Sequence, residues 1–478
     1  MSKYRVPLQL GHFMSTSCIQ VYYTLREDPD IEPFISKYDK LINMEKVLVI
    51  GCARSGYWAA KLLNKKGYDV SITDLRTIGE KEELESLGIK VYDGGHPDFL
   101  KDEYWSFIVK NPGIPYSNPF VKYFADQGID IFTEIEIALR YPIDFDVAAI
   151  TGTNGKTTIT TLVYEILKED TVAYSCGNIG TALSEIVYKH ENESANIALE
   201  ISAFQLLGAP SFHPEVAVIT NLSPDHLDYF DTLQDYYDAK NLIYKNMKGD
   251  DDWFLRNIDD ETVMNNLKEI NCRIVDYSLE KEADLMLKGD EVTLFGEVLF
   301  NKNDLKIVGR HNLQNAMIAA TMAYKLDAKV SSIRKVISSF EGVAHRIEYV
   351  DEIDGVSYYN DSKGTNVDST ITALKAFDKP VILLAGGHDK HTGFRELEDY
   401  TDKIKKLITF GETRNELAEL KDDSIVCEDM EEALNAARKL AEKDDIVLLS
   451  PACSSYDQFK NFEERGEIFK KLVRDFNK

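Results

Sequence analysis

At 478 residues the chain is long enough for about three domains of roughly 150 residues each, which excludes a single small binding module. Its 55 Lys and Arg stand against 81 Asp and Glu, a formal charge of -26 that opposes a nucleic-acid backbone, and 44% hydrophobic residues exclude a disordered chain. The 6 cysteines include no CxxC pair, no uncharged apolar run reaches the roughly 18 residues of a membrane span, and no secretory leader opens the text, so a folded cytoplasmic protein with reduced thiols is expected.

Residues 1–43 carry Pro7, Pro29 and Pro33 and no sustained period, and an upstream start or a poorly ordered arm is expected there, with the first fold beginning at Met44. Short apolar strands then alternate with helical stretches, the pattern of parallel α/β sheets. Strands are predicted at Val47–Ile50, Asp69–Thr73, Val147–Thr151, Asn196–Glu200, Val216–Thr220, Val356–Tyr359, Val381–Ala385 and Asp445–Ser450. Six of the eight are followed directly by Gly, Asn or Asp, and ligands in such folds bind at the carboxyl ends of strands. Domain boundaries are predicted near Thr133–Glu134 and Gly342, giving domains 44–134, 135–342 and 343–478.

The first strand exit reads Gly51-Cys-Ala-Arg-Ser-Gly56 and opens a helix predicted over Tyr57–Lys65, with Asp74 after the next strand. This approaches a dinucleotide fingerprint, in which a middle glycine admits a pyrophosphate and an acid binds a ribose. Ala53 holds the middle position and Arg76, a phosphate-binding side chain, follows Asp74, so an NAD site and another nucleotide-like site both stay open. The second exit, Thr151-Gly-Thr-Asn-Gly-Lys-Thr-Thr158, is a glycine turn with a Lys-Thr pair at a helix start. Backbone N–H groups and Lys156 can cradle the phosphates of ATP while Thr157 holds magnesium, although the loop is shorter than the standard phosphate loop, with Ile150 six residues before Lys156.

Glu200 ends a strand, and Thr220-Asn-Leu-Ser-Pro-Asp-His226-Leu-Asp228 follows the next, so a carboxylate and an imidazole can converge. Taken alone, His226 reads as a hydrogen-bonded loop histidine; beside a phosphate loop it becomes a metal candidate. In a helix predicted over Leu233–Met247, Leu233, Tyr237, Tyr244 and Met247 mark the apolar face and Lys240 falls among them. Such a lysine either does chemistry or packs its stem and snorkels to water. Further on, Ala344-His-Arg346, Tyr359-Asn-Asp-Ser-Lys-Gly-Thr-Asn366, Gly386-Gly-His-Asp-Lys390 and Ser450-Pro-Ala-Cys-Ser-Ser455 put Arg346, Lys363 and Lys390 on loops of an acidic protein; singly each reads equally as a solvated loop charge, and together they favour a polyanionic substrate.

From 44 to 478 the chain resembles the Mur ligases, through the glycine turn, Glu200, Asn221 to His226, Lys240, Gly309-Arg-His-Asn-Leu-Gln-Asn315 and His345-Arg346. Glu200-Ile-Ser-Ala-Phe-Gln-Leu206, Asn360-Asp-Ser-Lys-Gly-Thr-Asn366 and Leu449-Ser-Pro-Ala-Cys-Ser-Ser-Tyr-Asp-Gln-Phe-Lys-Asn-Phe-Glu-Glu-Arg-Gly466 are similar to the D-glutamate-adding members. That resemblance implies a Rossmann-like first domain, a central phosphate-loop ATPase domain with a mostly parallel sheet, and a Rossmann-like last domain. It assigns UDP-sugar binding to Arg54, Ser55, Asp74, Arg76, the Asn111-Pro-Gly113 turn and Asn178. ATP falls to Gly152, Thr153, Asn154, Gly155, Lys156, Thr157, Thr158, Asn312, Asn315 and Asp361, with Arg346 near the phosphates. Two magnesium ions fall to Thr157, Glu200, His226 and a carbamylated Lys240, and D-glutamate falls to Thr365, Lys390, Ser455 and Phe462.

The resemblance implies catalysis through Lys156, Glu200, His226, Lys240 and Arg346: an ATP-dependent ligation of D-glutamate to UDP-N-acetylmuramoyl-L-alanine through an acyl phosphate, by a monomer using neither nucleic acid nor membrane. Ala203 departs from a serine common in its motif, and residues 1–43 lie outside the family pattern. Another ligase of the superfamily, such as the folylpolyglutamate synthetase type, is the near alternative. An NAD-dependent dehydrogenase and a nucleotide-gated binding protein are the distant ones, and the dehydrogenase gives Lys156, Lys240 and Lys390 no task.

Overall fold

The computed structural model describes residues 45–141, 143–225, 229–388 and 393–476. The expectations for 1–43, Met44, His226 and Lys390 lie outside the described residues. Two compact units divide the chain, the first ending at Ile137 and the second beginning at Ala138. All eight predicted strands are present, most of them a residue or more longer or shorter than expected.

The first unit holds a parallel sheet of β1 (Lys46–Ile50), β2 (Asp69–Thr73), β3 (Lys90–Tyr92), β4 (Phe107–Lys110) and β5 (Ile131–Phe132) in the order 3-2-1-4-5. Leu48, Ile50 and Ile108 bury one sheet face against Leu100, Trp105, Phe120 and Phe124. The order reverses between β1 and β4, and the crevice outside that reversal is where a ligand fits. Helix α1 (Arg54–Lys65) starts there, three residues before its predicted start, because Gly56 lets the first turn close on β1: a Cβ at that position would run into the Gly51 carbonyl.

The second unit carries two sheets. The first contains β6 (Asp144–Thr151), β7 (Ala173–Gly177), β8 (Ser194–Glu200), β9 (Val216–Ile219), β10 (Gly249–Asn257), β11 (Cys272–Ser278), β12 (Leu285–Lys288), β13 (Glu291–Leu294) and β14 (Glu297–Asn301). Their order is 14-13-12-11-10-9-6-8-7, parallel except for the antiparallel β12–β13–β14 edge. In α2 (Lys156–Leu167), Ile159, Leu162, Val163 and Ile166 recur at helical spacing and face the sheet and α4 (Arg310–Lys325). On α4 the packed residues Ala316, Ala319, Ala320 and Ala323 are small enough for the two helices to approach closely. Each of the buried Ile, Leu and Val side chains contributes about 1.5–3 kcal/mol relative to exposure.

Between them, α3 spans Leu233–Asn241 and passes into a single 3-10 turn, Leu242–Tyr244. The helix predicted as far as Met247 therefore ends six residues early. Its last residue, Asn241, donates its side-chain amide to the Asn266 carbonyl, and Tyr244 and Met247 stay buried beyond it and mimic a continuing helical period.

The last sheet contains β15 (Glu348–Ile353), β16 (Val356–Asn360), β17 (Val381–Gly386), β18 (Ile404–Phe410), β19 (Ile425–Val426) and β20 (Ile446–Leu449), in the order 15-16-20-17-18-19. It is parallel except for the β15–β16 hairpin, and both faces are covered by apolar clusters. Helix α5 (Phe462–Asp475) closes the chain, with the Asn461 side chain capping its first turn. No helix among the described residues is long and apolar enough to cross a membrane.

Candidate active site

Sheet order explains why separate motifs meet. The neighbours β9, β6, β8 and β7 deliver Thr220, Gly152, Glu200 and Asn178 side by side at one sheet edge. Gly152 (φ 139°) passes so close to Thr220 that a Cβ would strike its hydroxyl, and Gly155 (φ 85°) has Asn315 Oδ1 only 2.8 Å from where its Cβ would lie. The segment after β9 buttresses the turn: Asn154 N donates to Asn221 Oδ1 (2.9 Å), Ser223 N donates to Thr153 Oγ1 (3.1 Å) and Thr220 Oγ1 donates to the Asn154 carbonyl (2.6 Å). This braced loop turns its helix N-terminus towards the cleft, an arrangement that suits phosphate.

Lys156 Nζ donates to the carbonyls of Gly152 and Thr153, both at 2.8 Å. Lys240 Nζ reaches the same Gly152 carbonyl at 2.9 Å and lies 4.4 Å from the Tyr236 ring centroid, with 2% of the residue exposed. Burial lowers the pKa of both lysines, and for Lys240, pushed well below the usual lysine range, the charge of Lys156 adds to the effect. Lys240 does not snorkel.

Thr157 Oγ1 donates to Glu200 Oε2 (2.8 Å), and Asn178 Nδ2 donates to Glu200 Oε1 (2.9 Å). The structure thus puts Asn178 beside this carboxylate. Lys363, from the loop after β16, donates to Thr157 Oγ1 at 3.0 Å and is lowered to about 8 by burial, then by Arg346. Its charge was legible in the sequence, but its place on the threonine was not. A hydroxyl bonded to a carboxylate is a donor set that fits magnesium, which takes few protein ligands and keeps its waters. Among the described residues no cluster of three His, Cys, Asp or Glu could hold a metal, and His226 lies outside them.

A cleft of about 150 Å³ opens beside the loop, lined by Gly155, His311, Asn312, Asn315, Arg346 and Asp361 among others. Asn312 Nδ2 donates to the Val308 carbonyl (2.7 Å) and Asn315 Nδ2 to Asn312 Oδ1 (3.2 Å), which holds both amides in fixed orientations. Burial, helped by Arg346, lowers His311 to about 4 and keeps its ring neutral. The quoted motif contains His311, but its place in the cleft follows from α4 starting beneath the phosphate loop. Arg346 Nε is buried without a hydrogen-bond partner among the described residues, an orphaned donor that fits an anion.

Asp361 accepts from Ser450 Oγ (2.7 Å) and from the Ile347 N–H (3.2 Å), and burial raises its carboxyl to about 7. Because the folded pKa lies above the unfolded one, the folded state holds the extra proton between about pH 4 and 7 and this stability is lost as pH rises through 7. Asp361→Asn is therefore expected to flatten the fall in unfolding free energy from pH 5 to pH 8, a slope of at most roughly 1.4 kcal/mol per pH unit. Parallel denaturation profiles of the two proteins across that range would contradict it.

At the last sheet, β16, β20 and β17 lie side by side and present Asp361 to Thr365, Ser450 to Ser455, and Gly386 to His388 at one edge. Thr365 and Ser455 follow β16 and β20, while Phe462 begins α5 with its ring centroid 5.6 Å from Lys363 Nζ. In the first unit, Arg54, Ser55, Asp74, Arg76 and Gly113 gather at the carboxyl edge around β1, β2 and β4. Asp74 spends both oxygens on the loop, accepting from the N–H of Cys52 (2.7 Å) and of Arg76 (2.8 Å).

Three α/β sheets, with a phosphate loop in the middle one and cations from the last sheet aimed at it, define a nucleotide-dependent enzyme. Residues 150–323 match the Mur ligase middle domain and residues 345–453 match the Mur ligase glutamate ligase domain. The chain is 40% identical over 443 residues to the UDP-N-acetylmuramoylalanine–D-glutamate ligase of Bacillus subtilis, covering 90% of this chain and 98% of that one. It is 42% identical over 436 residues to the protein of the same name from Shouchella clausii, covering 89% and 96%. Among solved structures, MurF ligase from Thermotoga maritima in complex with ADP aligns with TM-score 0.57 at 18% identity, over 85% of this chain and 95% of that one. A pseudomurein peptide ligase type C from Methanothermus fervidus aligns with TM-score 0.56 at 19% identity, over 90% and 100%. The chain belongs to the Mur ligase family, which displaces the dehydrogenase alternative.

Proposed function

We propose that the chain joins D-glutamate to UDP-N-acetylmuramoyl-L-alanine, cleaving ATP to ADP and phosphate, in the cytoplasm during peptidoglycan precursor synthesis. The observation that carries this reading is the convergence of Lys156, Lys363 and Arg346 around the Thr157–Glu200 pair in a protein of net charge -26. Arg54, Ser55, Asp74, Arg76 and Gly113 hold the UDP portion. Asn178, bonded to Glu200, meets the carboxylate end of that substrate. The adenine lies against His311, Asn312 and Asn315 and the ribose near Asp361, with Gly152 to Thr158 around the phosphates.

The substrate carboxylate attacks the γ-phosphorus, the bond to the β-phosphate oxygen breaks and ADP leaves. The D-glutamate amine then adds to the acyl phosphate carbon, loses a proton and expels phosphate, leaving an amide. Lys156 and Arg346 neutralise the charge that develops on the transferred group. Lys240, whose burial favours the neutral amine, adds to carbon dioxide and releases a proton, giving an anionic carbamate. Thr157, Glu200, His226 and that carbamate would hold two magnesium ions, which supply positive charge to the phosphates when bound. Thr365, Lys390, Ser455 and Phe462 hold D-glutamate.

Phosphate release from ATP is expected only when UDP-N-acetylmuramoyl-L-alanine and D-glutamate are both present. With L-glutamate it should fall about 100-fold, because an amine on the wrong hand misses the acyl phosphate when both carboxylates are held. Release that ignores either substrate would defeat the reading.

A further inference from the structure

Arg465 sits on the inner side of α5 with none of its surface exposed. Its Nε donates to Ser362 Oγ (3.0 Å), its Nη2 to the carbonyls of Ser362 (2.9 Å) and Cys453 (3.1 Å), and its Nη1 to the Ser454 carbonyl (3.2 Å). Among the described residues every acceptor is uncharged. Asp457 and Asp361 act on the guanidinium through space, without a hydrogen bond. A buried cation without an ion pair is costly, and such a cost is retained where it serves something.

The acceptors mark what it serves. Ser362 lies three residues before Thr365, Ser454 adjoins Ser455, and Arg465 is one helical turn past Phe462, whose carbonyl accepts from Ser362 Oγ at 2.8 Å. A fourth segment makes room for it: Gly387 (φ 146°) would bring a Cβ within 3.1 Å of Arg465 Nη1. Three segments that bear proposed D-glutamate residues therefore hang on one planar fork, whose fixed donor directions set their mutual spacing.

We infer that Arg465 is a positioning residue for the amino-acid substrate: it locks these segments into one wall and keeps behind that wall a positive charge for a dicarboxylate to answer. This rests on the ligase reading. An amino acid with a single carboxylate gains less from the charge than D-glutamate does, so the residue contributes to choice of substrate as well as to shape.

The test is steady-state kinetics of Arg465→Lys and Arg465→Met, each substrate varied in turn, with melting temperature measured alongside. Arg465→Lys keeps the charge and loses the fork, and a rise of about 10-fold in the KM for D-glutamate is expected; Arg465→Met loses both, and about 100-fold is expected. The KM values for ATP and the UDP-sugar should stay within about twofold. Should the variants not fold, Ser362→Ala removes one acceptor alone and is expected to raise the D-glutamate KM about fivefold. An unchanged D-glutamate KM, equal effects of Lys and Met, or a parallel rise for all three substrates overturns the inference. A wild-type enzyme that turns over no D-glutamate would instead overturn the ligase reading.

Discussion

Lys156→Ala is expected to lower ligation by about 1000-fold or more while the protein still folds. The size follows from the proposed role: the lysine stands at the start of α2, on the braced glycine turn, where the proposed reaction calls for a point charge at the transferred phosphoryl group, and losing one such donor typically costs 10²–10³. The survival of the fold follows from its partners, two backbone carbonyls of its own loop, so that about 1 kcal/mol of hydrogen bonding is at stake and relief from burying a cation offsets part of it. Turnover and melting temperature should be measured on the same preparation. Near-normal turnover in a folded variant would remove the loop from the reaction.

Lys240→Ala is expected to cost a comparable factor, about 1000-fold, and to be partly restored by formate or acetate. The lysine is enclosed by Tyr236 and the Gly152 carbonyl, and its removal leaves a space the size of a small carboxylic acid beside the Thr157–Glu200 pair. Lys240→Arg should be inactive and beyond rescue, since a guanidinium fills that space and keeps its charge. Magnesium binding measured by calorimetry gives a readout apart from turnover, and added formate should strengthen it in Lys240→Ala alone. Full activity in Lys240→Arg, or no rescue of a folded Lys240→Ala, would leave the lysine as a packed helix residue.

The strands were legible because they are short apolar runs, most of them ended by Gly, Asn or Asp, and burial of a parallel sheet on both faces demands such runs. The edge formed by β12, β13 and β14 was missed, although turns at Gly289 and Gly296 separate its strands, because runs of four or five residues with a charge at one end carry little pattern. Glu200 and Thr157 could be named from their motifs, but their 2.8 Å contact depends on β6 and β8 being neighbours, which no local signal states. Arg465 went without a role for a related reason: Ser454 and Cys453 lie near it in sequence, but Ser362, which joins the β16 loop to them, lies 103 residues away. Lys240 is the instructive middle case, since its place among apolar neighbours was visible while its acceptor, 88 residues earlier, was not.

Gly466 follows Arg465 on α5, and a Cβ there would overlap the His345 ring, which itself accepts from the Asn360 amide at 3.0 Å and adjoins Arg346. Even the lightest replacement at this codon would thus act through an imidazole on the Arg346 segment that lines the cleft beside the glycine turn, without itself lining that cleft. The consequence is genetic: a selection for survival that samples every codon of the last helix should return glycine at this site, and an alanine allele here is a natural starting point for heat-sensitive growth.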